Sequence, residues 1–265
     1  MHFDEKVVLI VGASSGIGRI LALRLAPEGA RVVITARRKD RLDKVADDIV
    51  RIGGHCVAYA ADAESPHAAE HVVNTCLQLH GRIDILILNA GGAPAIDMRA
   101  MRAHQVNAYM RSNYDVAVNY LFPVLQQMRH QTKGMVVQTN SLAGFLGVPL
   151  QGPYSAAKGA LRLLIDACRV EFGHLGIKFV SVYPGFIATE ATIGDGMPAP
   201  LEMSEDKAVD HILAAMRRQR ADTMFPWQMG LLVRLSLALP KAIVTRILRR
   251  DVPPVPFGTR HTDIS

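Results

Sequence analysis

The chain of 265 residues predicts an α/β fold: a doubly wound, mainly parallel sheet with helices on both faces. Three observations predict it. Short apolar runs alternate with amphipathic stretches from Lys6 to Tyr183, the order expected of successive β-α-β units. The first run is apolar throughout rather than at every second residue, as a parallel strand buried on both faces is. A glycine-rich turn, Gly12-Ala13-Ser14-Ser15-Gly16-Ile17-Gly18, stands directly between the first run and the first amphipathic stretch. The length fits a single domain over residues 1–265.

Lys6 to Val11 reads as the first strand and Arg19 to Ala26 as the first helix. Ala30 to Ala36 is the second strand and closes a β-turn-α-β unit of about thirty residues. Asp40 to Ile52 is helical, and Gly53-Gly54 ends it. His55 to Ala60 is the third strand, ending at Ala61-Asp62, and Pro66 to His80 is a helix. Ile83 to Leu88 is the fourth strand and runs into Asn89-Ala90-Gly91-Gly92. Ala103 to His130 reads as one long helical stretch. Gly134 to Thr139 is the fifth strand, Tyr154 to Leu175 a helix, and Lys178 to Tyr183 the sixth strand, ending in Pro184-Gly185. The notable polar residues and glycines thus fall just past strand ends or at helix starts, the edge where open α/β sheets bind ligands.

The glycines of the first turn are spaced G-x-x-x-G-x-G. Placed there, they allow a tight turn, close backbone approach to a phosphate and close helix–strand packing. The helix that follows offers unpaired N–H groups and a partial positive charge to a pyrophosphate. A dinucleotide site is therefore expected. Its ribose is decided by the second strand, because a carboxylate about twenty residues past the glycines binds a free 2′-hydroxyl. That place reads Ile34-Thr35-Ala36-Arg37-Arg38-Lys39, with no carboxylate and two arginines. Arginine can fork onto a 2′-phosphate, so NADP(H) is preferred and NAD(H) is the alternative. Arg37 carries that expectation with Arg38 beside it; the plainer reading is that Arg38, Lys39 and Arg41 begin a solvated helix.

Ser141, Tyr154 and Lys158 form the candidate catalytic set. Tyr154 and Lys158 are four residues apart and share a helix face. A free phenol, with a pKa of about 10, is a poor proton donor or base near neutrality. A neighbouring ammonium favours the phenolate and moves that value down. Ser141 can hydrogen-bond a substrate oxygen if a loop brings it alongside. The plainer alternative is a surface helix starting at Gly152-Pro153, with Tyr154 half buried and Lys158 solvated.

Together these pieces resemble the short-chain dehydrogenase/reductase family, over about residues 5–190. The motifs that carry the resemblance are GASSGIG at 12–18, Asp62, Asn89-Ala90-Gly91, Ser141, Tyr154-x-x-x-Lys158 and Pro184-Gly185-x-x-x-Thr189. The residue before the glycine loop, usually threonine in that family, is Val11 here; the threonine mainly steadies a turn. The resemblance implies a Rossmann domain. It implies cofactor contacts from Gly12, Ser14, Ser15, Gly16, Ile17, Gly18, Arg37, Arg38, Asn89, Ala90 and Gly91. It further implies Asp62 on the adenine, and Pro184, Gly185, Ile187 and Thr189 at the carboxamide end of the nicotinamide. Tyr154 would be the general acid/base, Lys158 would lower its pKa and bind the nicotinamide ribose, and Ser141 would orient the substrate oxygen. The family adds an asparagine on the helix after the N-A-G turn, at a kink holding a water that relays protons to the lysine. Asn113, Asn119 and Asn107 are the candidates, and Asn113 has the family's spacing, twenty-four residues after Asn89 and twenty-eight before Ser141. The implied reaction is reversible hydride transfer between a nicotinamide and a carbonyl or alcohol carbon.

Composition excludes several other classes. Cys56, Cys76 and Cys168 are few, odd in number and widely spaced, which fits a reducing, cytoplasmic setting without a disulfide framework or zinc site. No metal ligand set is expected. The N-terminus runs straight into a strand, so no signal peptide is expected. No run of eighteen apolar residues exists, so no spanning helix is expected either. The net charge of +6 suits an anionic cofactor, and no nucleic-acid module is visible.

Past residue 190 the pattern weakens. About 190–205 is expected to be a substrate lid and about 205–265 a C-terminal helical extension. Gly92-Ala93-Pro94, Leu142 to Leu150, Gln151, Phe186 and residues 191–201 would line a largely apolar pocket suited to a lipophilic ketone or alcohol. Residues 224–250 mix apolar and basic residues with Trp227 and are split by Pro240. They read either as a helix pair closing the pocket or packing on a partner subunit, or as a peripheral membrane contact. The family's habit of pairing subunits through helices around 103–130 and 154–175 implies a homodimer or homotetramer. Two other classes compete with the enzyme: a catalytically silent NADP-binding regulator or scaffold on the same fold, and a membrane-surface protein acting through its C-terminal segment.

Overall fold

The structure, a computed structural model, describes residues 1–188 and 199–252. Its first elements are β1 (Val7–Val11), α1 (Gly16–Leu25), β2 (Arg31–Ala36), α2 (Lys39–Arg51), β3 (His55–Ala60), α3 (Pro66–His80) and β4 (Ile85–Leu88). Then come α4 (Ala103–Met110), a π-helical turn (Arg111–Asp115), α5 (Val116–Gln131), β5 (Gly134–Thr139), α6 (Gly152–Phe172) and β6 (Ile177–Pro184). β7 (Ile187–Ala188), β8 (Met203–Ser204), α7 (Glu205–Arg218), β9 (Asp222–Phe225), α8 (Trp227–Ala238) and α9 (Lys241–Leu248) follow.

The run of apolar residues in β1 is explained by what covers it. Val8 and Ile10 pack on one side with Leu21, Leu25, Leu42, Ile49 and Ile212, from α1, α2 and α7. Val7, Leu9 and Val11 pack on the other with Val72, Tyr120, Leu121, Leu161 and Ile165, from α3, α5 and α6. Each such side chain, fully buried, contributes about 1.5–3 kcal/mol of hydrophobic stabilisation. The sheet has seven strands in the order β3-β2-β1-β4-β5-β6-β9, all paired in parallel. The order reverses between β1 and β4, so the strand ends there diverge and leave a crevice.

Local signals set the helix ends. Ser65 accepts a hydrogen bond from Ala68 N at 3.3 Å and Pro66 opens α3, while Gly81 closes it at φ +72°. Ser204 caps α7 by accepting from Lys207 N, with Glu205 and Asp206 in the first turn and Arg217 and Arg218 in the last, each charge matched to the helix dipole.

Three features differ from the sequence reading. The stretch read from its pattern as one helix over Ala103 to His130 is broken by the π turn at Arg111–Asp115, which contains Asn113, where the resemblance implies a kink. β9 joins the main sheet, and β7 and β8 form a separate two-stranded ladder; none of the three was expected. The region assigned to an extension, 205–265, is in part core. Ala208, Val209, Ile212, Leu213 and Met216 of α7 are buried against the sheet, and the helical appendage begins only at Trp227. The ladder joins Ile187–Ala188 to Met203–Ser204, so it ties together the two ends of the expected lid, most of which lies outside the described residues.

Candidate active site

The glycine turn is held from behind. Gly12 N and Ala13 N donate to Thr35 O at 2.9 and 3.3 Å, and Asn89 Nδ2 donates to Gly12 O at 3.0 Å. These bonds do the steadying for which Val11 has no hydroxyl. Gly12 has φ +86°, and a Cβ there would lie 2.7 Å from Ala90 Cα; a Cβ on Gly18 would strike the Gly12 carbonyl oxygen. Ser15 precedes α1 in extended conformation and makes no side-chain cap bond.

Arg38, rather than Arg37, reaches this turn. Its Nη2 donates to Ser14 Oγ at 3.1 Å and Ser15 Oγ at 2.8 Å. Arg37 is exposed at the end of β2. Arg38 stands immediately before α2, with its backbone extended. Asp62 is exposed beyond β3, with Oδ1 accepting from Glu64 N at 3.0 Å.

The catalytic candidates meet where β5 ends. Ser141 caps the short helical turn Leu142–Gly144, its Oγ accepting from Ala143 N at 3.1 Å. Tyr154, in the first turn of α6, has Ser141 as its polar neighbour. One turn on, Lys158 is 4% exposed, and its Nζ donates to Thr139 O at 3.2 Å and lies 5.6 Å from the centre of the Tyr154 ring. The sequence argument has the lysine lowering the phenol's pKa. In the structure desolvation prevails: burial pushes Tyr154 up to about 12, with Ser141 opposing it, and burial lowers Lys158 to about 8.

Asn113 sits inside the π turn and is 1% exposed. Its Oδ1 accepts from Gly92 N at 3.0 Å and its Nδ2 donates to Tyr109 O at 3.2 Å. A Cβ built on Gly91 would lie 2.7 Å from Asn113 Oδ1 and 3.5 Å from Lys158 Nζ, so the amide, the ammonium and the glycine turn after β4 converge on one spot. The other two asparagines lie elsewhere. Asn119 donates to Ala63 O at 2.9 Å, and Asn107 is exposed.

Asn140 was not singled out in the sequence. It is buried, its Oδ1 accepts from Ser141 N at 2.8 Å, and its Nδ2 donates to Lys158 O at 3.1 Å. One amide therefore ties the serine's backbone to the lysine's. The only sequence signal is that Gln138-Thr139-Asn140-Ser141 is polar where the strand should still be apolar.

Pro184 ends β6, and Gly185 N donates to Phe225 O at 2.8 Å. Ile187 pairs in the small ladder; Thr189 lies outside the described residues. Leu142, Tyr183 and Val233 pack together with Phe145, Met224 and Met229, so the inner face of α8 closes an apolar wall beside the serine loop. The cysteines are free, and burial raises the thiol pKa of all three, that of Cys56 and Cys76 to about 12.

These residues fit a dinucleotide. The turn excludes side chains at Gly12 and Gly18, the head of α1 offers N–H groups, and Thr139 Oγ1 is buried beside Lys158 with no partner among the described residues. The pyrophosphate would lie on the turn and the nicotinamide end near Lys158, with the reacting substrate oxygen between Ser141 and Tyr154.

Comparison with known proteins agrees with this geometry. A family model described as short chain dehydrogenase matches residues 6–196. The chain is similar to an uncharacterized oxidoreductase of Myxococcus xanthus, 30% identical over 249 residues that cover 94% of this chain and 98% of the relative. It is similar to an uncharacterized oxidoreductase of Listeria monocytogenes, 29% identical over 245 residues, covering 92% and 94%. A dehydrogenase/reductase SDR family protein 7-like of Anopheles gambiae is 32% identical over 197 residues, covering 72% and 62%.

Proposed function

The chain belongs to the short chain dehydrogenase family, and on that premise we propose that it interconverts a lipophilic ketone and its secondary alcohol with NADP(H). Membership makes it an oxidoreductase that uses a nicotinamide dinucleotide. The finer reading rests on one observation: Tyr154 stands beside Ser141 and one helical turn from the buried Lys158, whose Nζ lies 5.6 Å from its ring centre, at the sheet edge that carries the glycine turn.

When bound, the nicotinamide exchanges hydride with the carbonyl carbon. The chain supplies the rest. Ser141 donates a hydrogen bond to the carbonyl oxygen and makes the carbon more electrophilic. Tyr154 gives its proton to that oxygen as it gains negative charge, and in the reverse direction takes it back. A half-buried phenol whose pKa is pushed up to about 12 is protonated at neutral pH, which favours reduction, because an alkoxide is more basic still. Lys158 holds positive charge beside the phenol and reaches toward the ribose. Asn140 ties the backbone of Ser141 to that of Lys158, and Asn113 holds the Gly91-Gly92 turn beside Lys158. Leu142, Phe145, Met229 and Val233 favour an apolar substrate over a sugar.

Arg38 over Ser14 and Ser15, with no carboxylate at the end of β2, supports NADP(H). Exposed Phe122, Leu163 and Val170 on α5 and α6 support a homodimer or homotetramer. Among the described residues no helix is long and apolar enough to cross a membrane.

The test is NADPH consumption with a panel of hydrophobic ketones. Tyr154→Phe should lower kcat at least about a hundredfold while NADPH binding persists. Arg38→Ala should weaken NADPH about ten- to a hundredfold, the loss of a charge-assisted contact, and NADH little. Arg37→Ala separates the two arginines in the same titration. A protein that binds NADPH and reduces no carbonyl would be a binding protein on this fold, and the enzymatic reading would fall.

A further inference from the structure

The C-terminal appendage has more apolar surface facing outward than inward. α8 buries only Gly230 and Val233, and α9 buries no residue at all. On α8, Trp227 is 70% exposed, Leu232 61% and Leu235 54%, with Leu231 and Leu239 also exposed. Trp227, Leu231 and Leu235 follow one another at helical spacing and form a stripe. Ile243 and Ile247 continue the exposed apolar surface on α9. A patch of this kind on a folded domain marks an interaction surface.

Its charge says what kind. Between Pro226 and Arg250 the sequence has Arg234, Lys241, Arg246, Arg249 and Arg250 and no carboxylate. All five cations are exposed, and none is ion-paired among the described residues. A second copy seated on this patch about a twofold axis would set five cations against five. An anionic lipid surface would neutralise them while its acyl region took up the leucines and isoleucines, with Trp227 at headgroup depth.

We propose that α8 and α9 dock this protein on an anionic membrane surface. The docked helix is the one whose inner face walls the site. Met229 and Val233 pack toward Leu142 while Trp227, Leu231 and Leu235 face out. A lipophilic substrate leaving the bilayer would then emerge next to the serine loop.

The full chain carries its own reporter, since Trp227 is the only tryptophan. Its emission should shift to the blue on adding phosphatidylcholine vesicles containing phosphatidylglycerol, and the protein should float with them. Pure phosphatidylcholine vesicles should do much less, and added salt should reverse part of the binding. Arg246→Glu with Arg249→Glu should lower partitioning at least about tenfold. Leu231→Ser with Leu232→Ser, both at exposed positions, should abolish the blue shift with the fold intact by circular dichroism. Three results would overturn the proposal: no shift or flotation with the anionic vesicles, binding indifferent to lipid charge, or an oligomer that the leucine variants dissociate while vesicles leave the emission unchanged. None of these readouts uses catalysis, so they stand apart from the fate of the proposed activity.

Discussion

At the scale of single residues, Lys158 is the most exposed to test. Its ammonium is buried, with Thr139 O as its hydrogen-bond acceptor among the described residues, and desolvation lowers its pKa from 10.5 to about 8. If its charge is needed for cofactor and substrate to react, kcat/KM for ketone reduction should fall as pH rises through about 8. Tyr154, pushed to about 12, stays protonated across that range and cannot cause the fall. A pH profile flat through that point would remove Lys158 from the mechanism. The same shift has a signature in stability. Between about pH 8 and 10.5 the unfolded chain holds more of this proton than the folded one, so Lys158 contributes stability that rises with pH there. Below that window its penalty is constant. Ser141, Tyr154 and Lys158 were legible because their spacing reflects a helix turn and a strand end. Asn140 was not, because one of its bonds reaches a backbone carbonyl eighteen residues away and leaves no periodic trace. That Arg38, and not Arg37, bonds Ser14 and Ser15 depends on how the chain turns after β2, and adjacent arginines in a sequence do not disclose that.

At the scale of elements, the site is made by turns that tolerate no added atoms. Gly18→Ala would push the Gly12 carbonyl and the Asn89 amide apart, since the new methyl lands on both. A loss of about 1–3 kcal/mol is expected, typical of overpacking. Melting with and without NADPH should show it, the variant also losing most of the stabilisation that the dinucleotide gives. Gly173→Ala is the control: it has φ −60° at the end of α6 with open space around it, so it should be neutral or slightly stabilising. A Gly18 variant that melts and binds like the control would mean that the turn is not the cradle. The π turn at Arg111–Asp115 belongs to the same scale. Sequence periodicity does not reveal it, because α4 buries only Tyr109 and leaves too few apolar positions before the turn to show the shift of phase. β9 was missed for a different reason: four residues, half of them polar, at the sheet's edge carry too little of either strand pattern to stand out. The long, doubly covered strands carry the opposite message, and they made the fold class readable.

At the scale of the whole molecule, chemistry and cohesion occupy opposite edges of one sheet. Most candidate site residues among the described positions lie at or past the C-terminal ends of the main-sheet strands or in the first turns of the helices that follow them. The N-terminal ends are joined by Asp84, which is buried. Its Oδ2 accepts from Val7 N at 3.0 Å, its own N–H donates to Val7 O, and its carbonyl accepts from Met135 N, so one residue ties β1, β4 and β5 together. Arg82 and Lys6 hold the carboxylate from the solvent side, though such half-exposed pairs contribute little by themselves. Asp84→Ala leaves Val7 N–H buried without an acceptor and should cost about 1–3 kcal/mol. For a chain of this length that lowers the melting temperature by roughly 2–4 °C for each kcal/mol. Asp84→Asn keeps an acceptor oxygen and should recover most of the loss. Because the site lies a strand's length away, kcat measured well below the melting range should be unchanged in both. A fall in kcat without a fall in melting temperature would mean that the two edges are coupled through the sheet and that the separation does not hold.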